Sequence, residues 1–340
     1  MTTKITTQHS FTFADLFAGI GGMRIGFEAV GGECVLTSEI DQKAMETYSA
    51  NFIDSESHKF VADVTKLTRE DFPENLDVLV AGFPCQPYSM AGPRRGLEDK
   101  RGGDIFDALM HLLKEVKPRA FLFENVKGVL GHDEGKTLDH MLGLMLDQGY
   151  HVRYETLNSM THANIPQNRE RVFFVGFRYP YEAKIFNYPK PVELTKTISD
   201  CFEKGLVDDK FYYTDRTEVG KLIQHHIKEK DTIYQWRRSY ARDNKSNVCP
   251  TLTANMGTGG NNVPIIVDDS GPRKLTPREV SNFQGFPEEF ILPLMGLSNL
   301  YKQFGNSVTV PLISRVAAQI KQTLDTPTNF SLMHPPPTHR

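Results

Sequence analysis

Four groups of residues in this chain have types and spacings that could carry chemistry. Cys85 sits in Gly82-Phe83-Pro84-Cys85-Gln86-Pro87-Tyr88-Ser89, directly after the apolar run Val78 to Ala81. A cysteine between prolines at the carboxyl end of a strand is poorly placed for core packing and well placed as a nucleophile, with a buried structural thiol as the competing reading. Glu124 follows the apolar Phe121-Leu122-Phe123. Half buried there, its carboxyl would have a raised pKa and could share a proton with a ring nitrogen. Gln167-Asn168-Arg169-Glu170-Arg171 places two guanidiniums at i and i+2, on one side of an extended chain. Such planar donors suit a carbonyl or phosphate oxygen. For either motif alone, a surface ion pair is the commoner meaning.

The fourth group is Asp15-Leu16-Phe17-Ala18-Gly19-Ile20-Gly21-Gly22, a strand end opening into a helix, with Glu39 twenty residues after Gly19. That is where a nucleotide-binding α/β fold places an acid on ribose hydroxyls. The spacing Gly-x-Gly-Gly lacks the third glycine of the dinucleotide fingerprint, so a mononucleoside cofactor fits better than a pyrophosphate. Asp63, after a third strand edge, could accept from an adenine amino group or could cap a solvated helix. The glycines by themselves could form only a tight turn.

These groups need a scaffold that brings strand ends together. From Phe11 to about Pro191, short apolar runs alternate with amphipathic segments, the pattern of βα units of a mainly parallel sheet. The expected strands are Phe13 to Phe17, Cys34 to Glu39, Val78 to Ala81, Ala120 to Glu124 and Val172 to Phe177. The expected helices are Met23 to Val30, Gln42 to Asn51, Ile105 to Val116 and Thr137 to Gln148. After Pro189 and Pro191 the periodicity weakens, and Thr251 to Asn262 is rich in Thr, Gly and Asn, which reads as a smaller, loop-rich second domain. Order returns from Arg273, with helices expected at Pro277 to Phe283 and Val308 to Leu324, the latter able to return to the first domain. The tail beyond 330, with Pro335 to Pro337, reads as disordered.

Composition sets the outer bounds. With 340 residues, 39% hydrophobic and 24% charged, the chain is an ordinary globular one of about two domains. Fibrous and disulfide-framework classes are excluded. The four cysteines (Cys34, Cys85, Cys201, Cys249) lie too far apart for a zinc or redox motif, so no metal is expected and a reducing compartment is. No signal peptide begins at Met1 and no apolar run approaches the roughly 18 residues of a membrane span, so the expected location is cytoplasmic. The net charge of −3 argues against coating nucleic acid by bulk charge. Between Arg216 and Lys245, however, eight Lys/Arg face four acids, a local +4.

At this point the residues resemble one family closely, the cytosine-C5 DNA methyltransferases of the bacterial restriction-modification type, which use S-adenosylmethionine. The resemblance spans nearly the whole chain in the family's motif order: Phe17-Ala18-Gly19-x-Gly21-Gly22, Pro84-Cys85-Gln86, Glu124-Asn125-Val126, Gln167-x-Arg169-x-Arg171, Arg273 to Pro287, and Gln303-Phe304-Gly305-Asn306-Ser307-Val308. It implies a Rossmann-like methyltransferase sheet domain formed by 1–190 plus 301–330, a target-recognition domain at 191–272, a connecting hinge at 273–300 and a disordered tail at 331–340. It also implies that Cys85 adds to position 6 of cytosine, that Glu124 contacts N3 and the exocyclic amine, that Arg171 holds O2, and that Arg169 supports the loop or the thiolate. For the cofactor it implies Phe17 near the adenine, Gly19, Gly21 and Gly22 along the methionine portion, Glu39 on the ribose, Ile40 and Asp63 framing the adenine, and Asn306 and Val308 closing the pocket. Ser89, Arg94 and Arg95 after the cysteine, and Arg237, Arg238, Arg242, Lys245 and Thr251 in the variable region, are the implied DNA contacts. One departure is Asp104, where family members usually carry an apolar residue.

The expected function is therefore sequence-specific transfer of a methyl group to C5 of a flipped cytosine in double-stranded DNA, leaving S-adenosylhomocysteine. A cognate restriction endonuclease is the implied genetic partner, a monomer the implied state, and the nucleoid of a bacterial cytoplasm the implied place. Trp236 to Asn262 resembles readers of short GC-rich palindromes of the CCGG or CCNGG kind. Three alternatives compete: a tRNA cytosine-C5 methyltransferase, a silent DNA-binding regulator on the same scaffold, and a Rossmann-type dehydrogenase. The sizeable second domain speaks against the first, intact Cys85, Glu124 and Arg171 against the second, and Pro84-Cys85-Gln86 against the third.

Overall fold

A computed structural model describes residues 10–84, 100–237, 240–244, 247–258 and 262–327, with backbone alone at 100–104. The elements are β1 (Phe11–Leu16), α1 (Gly22–Glu28), β2 (Gly32–Ser38), α2 (Gln42–Asn51), β3 (Lys59–Phe60), β4 (Val78–Gly82), α3 (Lys100–Val116), β5 (Ala120–Val126), α4 (Lys136–Asp147), β6 (His151–Asn158), α5 (Ser159–Ala163), β7 (Gln167–Asn168), β8 (Glu170–Phe177) and α6 (Pro180–Ile185). Then come α7 (Glu218–His226), β9 (Tyr234–Arg237), β10 (Tyr240–Asp243), β11 (Cys249–Pro250), β12 (Ile265–Asp268), β13 (Gly271–Lys274), α8 (Pro277–Phe283), α9 (Leu297–Asn306) and α10 (Val310–Asp325).

Seven strands form one sheet in the order β3-β2-β1-β4-β5-β8-β6. All neighbours pair in parallel except those of β8, which runs antiparallel to both β5 and β6. The mainly parallel α/β expectation thus holds, with one reversed strand. Alternation along the strands splits the core. Phe13, Val78, Val80, Leu122, Phe173 and Val175 pack toward α1 and α10. Ala14, Leu16, Leu79, Ala81, Phe121 and Phe174 pack toward α3 and α4. The strand order reverses between β1 and β4, the place where open α/β sheets bind ligands beyond their carboxyl ends.

The expected helices at Gln42–Asn51 and Pro277–Phe283 have those bounds, and the other expected elements shift by one to five residues at an end. The last helix starts at Val310 rather than Val308, because Thr309 has extended backbone and Pro311 occupies the first turn. Strand β6 has no expected counterpart. Among the described residues it pairs only with β8, and His151, Arg153, Tyr154 and Glu155 are exposed, so apolar alternation is absent.

A four-stranded sheet, β10-β9-β12-β13, lies in the weakly periodic region. Its small core comprises Ile223, Ile227, Tyr234, Trp236 and Ile265. β13 crosses the expected 272/273 boundary, so this sheet ends at Lys274. A further core joins Leu252 and Met256 to Val280, Phe283, Phe286, Phe304 and Val310. Among the described residues, no helix is long and apolar enough to cross a membrane.

Candidate active site

A cavity of about 380 Å³ opens at the carboxyl ends of β1, β2, β4 and β5. One end is formed by the turn after β1. Phe17 takes a left-handed conformation (φ 58°), a rare one for a residue with a side chain, and the chain turns there into α1. Gly19 N–H donates to Glu39 Oε2 at 2.8 Å and Asp41 N–H to Oε1 at 2.7 Å, so Glu39 fixes both the glycine turn and its own strand end. Gly22 is required by close approach: a Cβ there would lie 2.8 Å from Ser307 Oγ and 3.0 Å from Val308 Cγ2. The returning segment 303–308 is thereby pressed against the turn, and Gln303 anchors it to α2 by accepting from Thr47 Oγ1 (2.8 Å) and donating to the Lys43 carbonyl (2.7 Å).

The other end carries Glu124 and Arg171. The antiparallel register of β5 and β8 sets Val126 opposite Arg171, which brings Arg171 Nε within 3.0 Å of Glu124 Oε1. Burial pushes the Glu124 carboxyl above the ordinary glutamate range, and the charges of Arg171 and Arg169 only partly offset this. Asn125 Nδ2 donates to the Phe83 carbonyl at 3.4 Å, tying β5 to the turn that leads into residue 85. Gly82, Phe83 and Pro84 line the cavity. Cys85 itself lies outside the described residues. Among the described residues the thiols are Cys34, Cys201 and Cys249, all buried. Burial pushes Cys34 and Cys201 up to about 12 and Cys249 well above its usual value, so none of these three is a competent thiolate near neutral pH.

Phe17, Gly19, Gly22, Glu39, Ile40, Glu124, Arg169, Arg171, Asn306 and Val308 line this one cavity, although their sequence positions span almost 300 residues. Gly21 and Asp63 do not line it. Gly21 (φ 85°) precedes the first turn of α1, and Asp63 caps a short turn by accepting from Thr65 N–H at 3.0 Å, the capping alternative open from its sequence position. Both arginines line the cavity but take different partners, because Arg169 sits in the break between β7 and β8, where its N–H bonds the Gln167 carbonyl. Arg171 turns to Glu124, whereas Arg169 donates to the backbone carbonyls of Leu252, Gly305 and Ser307.

Of the expected DNA contacts, Arg237 and Arg242 are exposed. The register Arg237↔Tyr240 and Gln235↔Arg242 puts them on the outer face of the small sheet, opposite Trp236 and Ala241. Thr251 Oγ1 donates to the Asn168 carbonyl at 2.7 Å. Ser89, Arg94, Arg95, Arg238 and Lys245 lie outside the described residues, as does the side chain of Asp104. The local +4 already subtracts Glu218, which pairs with Lys221 (2.7 Å), and it is offset further where Lys230 pairs with Asp269 (2.6 Å), an acid outside the counted stretch.

Sequence reasoning gave no role to Asp15, Gln167, Gln284 or Lys302. Lys302 lines the cavity and pairs with Asp41 at 3.0 Å. Gln167 and Gln284 bond each other and the backbone beneath the site. The glutamines had a signal, membership of the same motifs as the arginines and Phe286. Asp15 had only its place two residues before Phe17.

The family model described as C-5 cytosine-specific DNA methylase matches residues 11–322. The chain is 48% identical over 314 residues to Type II methyltransferase M.Bsp6I of Bacillus sp. (strain RFL6), covering 92% of this chain and 98% of that one. It is 37% identical over 330 residues to Type II methyltransferase M.HpaII of Haemophilus parainfluenzae, with 93% and 91% covered. Among solved structures it resembles S. pombe Dnmt2 methyltransferase, with a TM-score of 0.69, 20% identity, and 93% and 100% of the two chains covered.

Proposed function

The chain belongs to the C-5 cytosine-specific DNA methylase family, and from that premise we propose how its residues methylate position 5 of a cytosine in duplex DNA. The observation that carries the proposal is a single cavity with an adenosine-type cradle at one end and the Glu124–Arg171 pair at the other, entered by the chain just before Cys85. It is a DNA cytosine-5-methyltransferase whose relatives are Type II methyltransferases.

Family and fold imply S-adenosylmethionine as methyl donor. The residues present fit it. Glu39, directly after β2, offers a carboxylate for ribose hydroxyls, Phe17 and Ile40 offer apolar surface for an adenine, and Gly22 leaves no side chain between the turn and Ser307-Val308. When bound, the sulfonium supplies an electrophilic methyl group.

The protein's part is to make C5 nucleophilic. A duplex hides the reacting edge, so the cytosine must be flipped into the cavity. The Cys85 thiolate then forms a bond to C6. The displaced electron pair moves toward N3, where the protonated Glu124 carboxyl donates its proton, and Arg171 holds that carboxyl while facing O2. After C5 gains the methyl group, a base removes the C5 proton, the C6–S bond breaks and N3 returns its proton to Glu124. Residues 191–272 serve as the recognition region, with Arg237 and Arg242 on the outer sheet face for phosphate or guanine contact. A restriction endonuclease of the same specificity is the fitting genetic partner. Likeness to Type II methyltransferases favours DNA over tRNA as substrate.

The test is methyl transfer from labelled S-adenosylmethionine to plasmid DNA and, separately, to tRNA, with conversion sequencing of the plasmid. Modified cytosines confined to one short motif are expected. Label in tRNA alone would assign the RNA reaction, and unchanged transfer by Cys85→Ala would overturn the covalent mechanism.

A further inference from the structure

The stretch from Cys249 to Thr258 touches both halves of the site without lining the cavity. β11 pairs in parallel with β7, Cys249 opposite Gln167 and Pro250 opposite Asn168. The next peptides are gripped by two fully buried side chains. Gln167 Oε1 accepts from Leu252 N–H at 3.1 Å, and Arg169 Nη1 donates to the Leu252 carbonyl at 2.6 Å. The other arm of the same guanidinium, Nη2, donates to the carbonyls of Gly305 (3.3 Å) and Ser307, in the segment that closes the cofactor end. Arg169 is 2% exposed.

Backbone contact reinforces this link. A Cβ on Gly305 would lie 2.3 Å from the Thr253 carbonyl carbon, and one on Gly257 would lie 2.0 Å from the Ser298 carbonyl oxygen. Residues 253–258 therefore rest directly on α9, with no side chain between to absorb a shift. Gln284 ties the opposite side, donating to the Phe304 carbonyl at 2.7 Å and accepting from Gln167 Nε2 at 3.2 Å. Thr253, Asn255 and Thr258 are exposed on this rigidly held stretch, where a DNA strand could press on them.

We propose that Arg169 is a positioning residue that couples contact of the target strand with residues 251–258 to closure of the cofactor pocket by residues 305–308. The proposal rests on the DNA-methylating reading above. One fork bonded to both segments favours the arrangement in which both are seated. Linkage then requires that target DNA tighten cofactor binding and that the cofactor tighten binding of the target DNA by the same factor, the cofactor steadying the recognition stretch as it does so.

The test titrates S-adenosylhomocysteine, which cannot turn over, by calorimetry in three states: without DNA, with a duplex carrying the motif returned by conversion sequencing, and with a scrambled duplex. The wild type is expected to bind it about 5- to 150-fold more tightly with the target duplex alone. Arg169→Lys, a cation without the fork, should reduce that enhancement to less than about twofold. A merely structural role would weaken all three states by one factor and leave the ratio intact, which would overturn the proposal. A second measurement needs no variant: S-adenosylhomocysteine without DNA should slow amide hydrogen exchange in residues 249–258 of the wild type. Unchanged exchange there would also overturn it. An enzyme that methylates its motif yet shows no enhancement refutes the coupling alone, whereas absence of methylation refutes the functional reading.

Discussion

Asp15 offers a quantitative test of how the cofactor end of the sheet is built. It lies on β1, fully buried, and its carboxyl oxygens have no well-formed hydrogen bond, with the Arg24 backbone N–H at most a weak donor nearby. Burial pushes its pKa up to about 8, and the nearby Arg24 only partly offsets this. At neutral pH the folded protein therefore holds Asp15 protonated while the unfolded chain releases the proton. The unfolded state binds fewer protons, so stability falls as pH rises from the ordinary aspartate value and levels off above about 8. At about 1.4 kcal/mol per pH unit, the contribution between pH 5 and pH 8 is a loss of about 3 to 4 kcal/mol. Asp15→Asn keeps the shape and removes the titration. Its buried amide adds a pH-independent cost of about 1 to 3 kcal/mol for unmade hydrogen bonds, so the absolute difference between the proteins is less informative than its slope. Urea unfolding followed by circular dichroism at several pH values should show the variant gaining on the wild type as pH rises. Parallel curves would mean that Asp15 is ionised in the fold, and the account of its burial would fail.

Glu124→Gln should lower kcat by about 10²- to 10⁴-fold while leaving S-adenosylhomocysteine affinity nearly unchanged. Because burial raises the Glu124 pKa, wild-type turnover should fall as pH climbs through that raised value, and a pH–rate profile of the variant should lack this limb. Arg273 bonds both Glu279 oxygens at 2.7 Å from a position 2% exposed, joining β13 to α8. Arg273→Ala leaves Glu279 buried and unpaired and should cost about 3 to 5 kcal/mol in denaturant unfolding. Replacing Arg237 and Arg242 together by Ala should reduce the log–log salt slope of DNA binding by about one for each lost phosphate contact. An unchanged slope would remove the outer sheet face from the DNA surface.

The catalytic half of the molecule was largely legible because its signals are local. Apolar runs of strand length bounded by glycine or a charge mark β1, β4 and β5, and each sheds its chemical residues at the carboxyl end, where chain direction alone places them together. The small sheet was not legible in this way. Its strands are only four residues long, the buried partners of β9 come from α7 and β12, and exposed residues occupy half the positions of β9 and β10. Edge strand β6, although eight residues long, was hidden because half of its positions are exposed.

The sequence by itself determined the chemistry available: a cysteine after Pro84, a carboxylate ending an apolar strand, a glycine turn with an acid twenty residues on, and a motif order that specifies the family. Only tertiary structure decided which neighbouring side chains act together. Arg169 and Arg171 are two residues apart, yet a strand break sends one to a carboxylate and the other to three backbone carbonyls up to 138 residues away. The physical reason is that a hydrogen-bonding group's task is set by the partners burial leaves it. Those partners arrive from the returning helix and the recognition segment, whose approach no local pattern encodes.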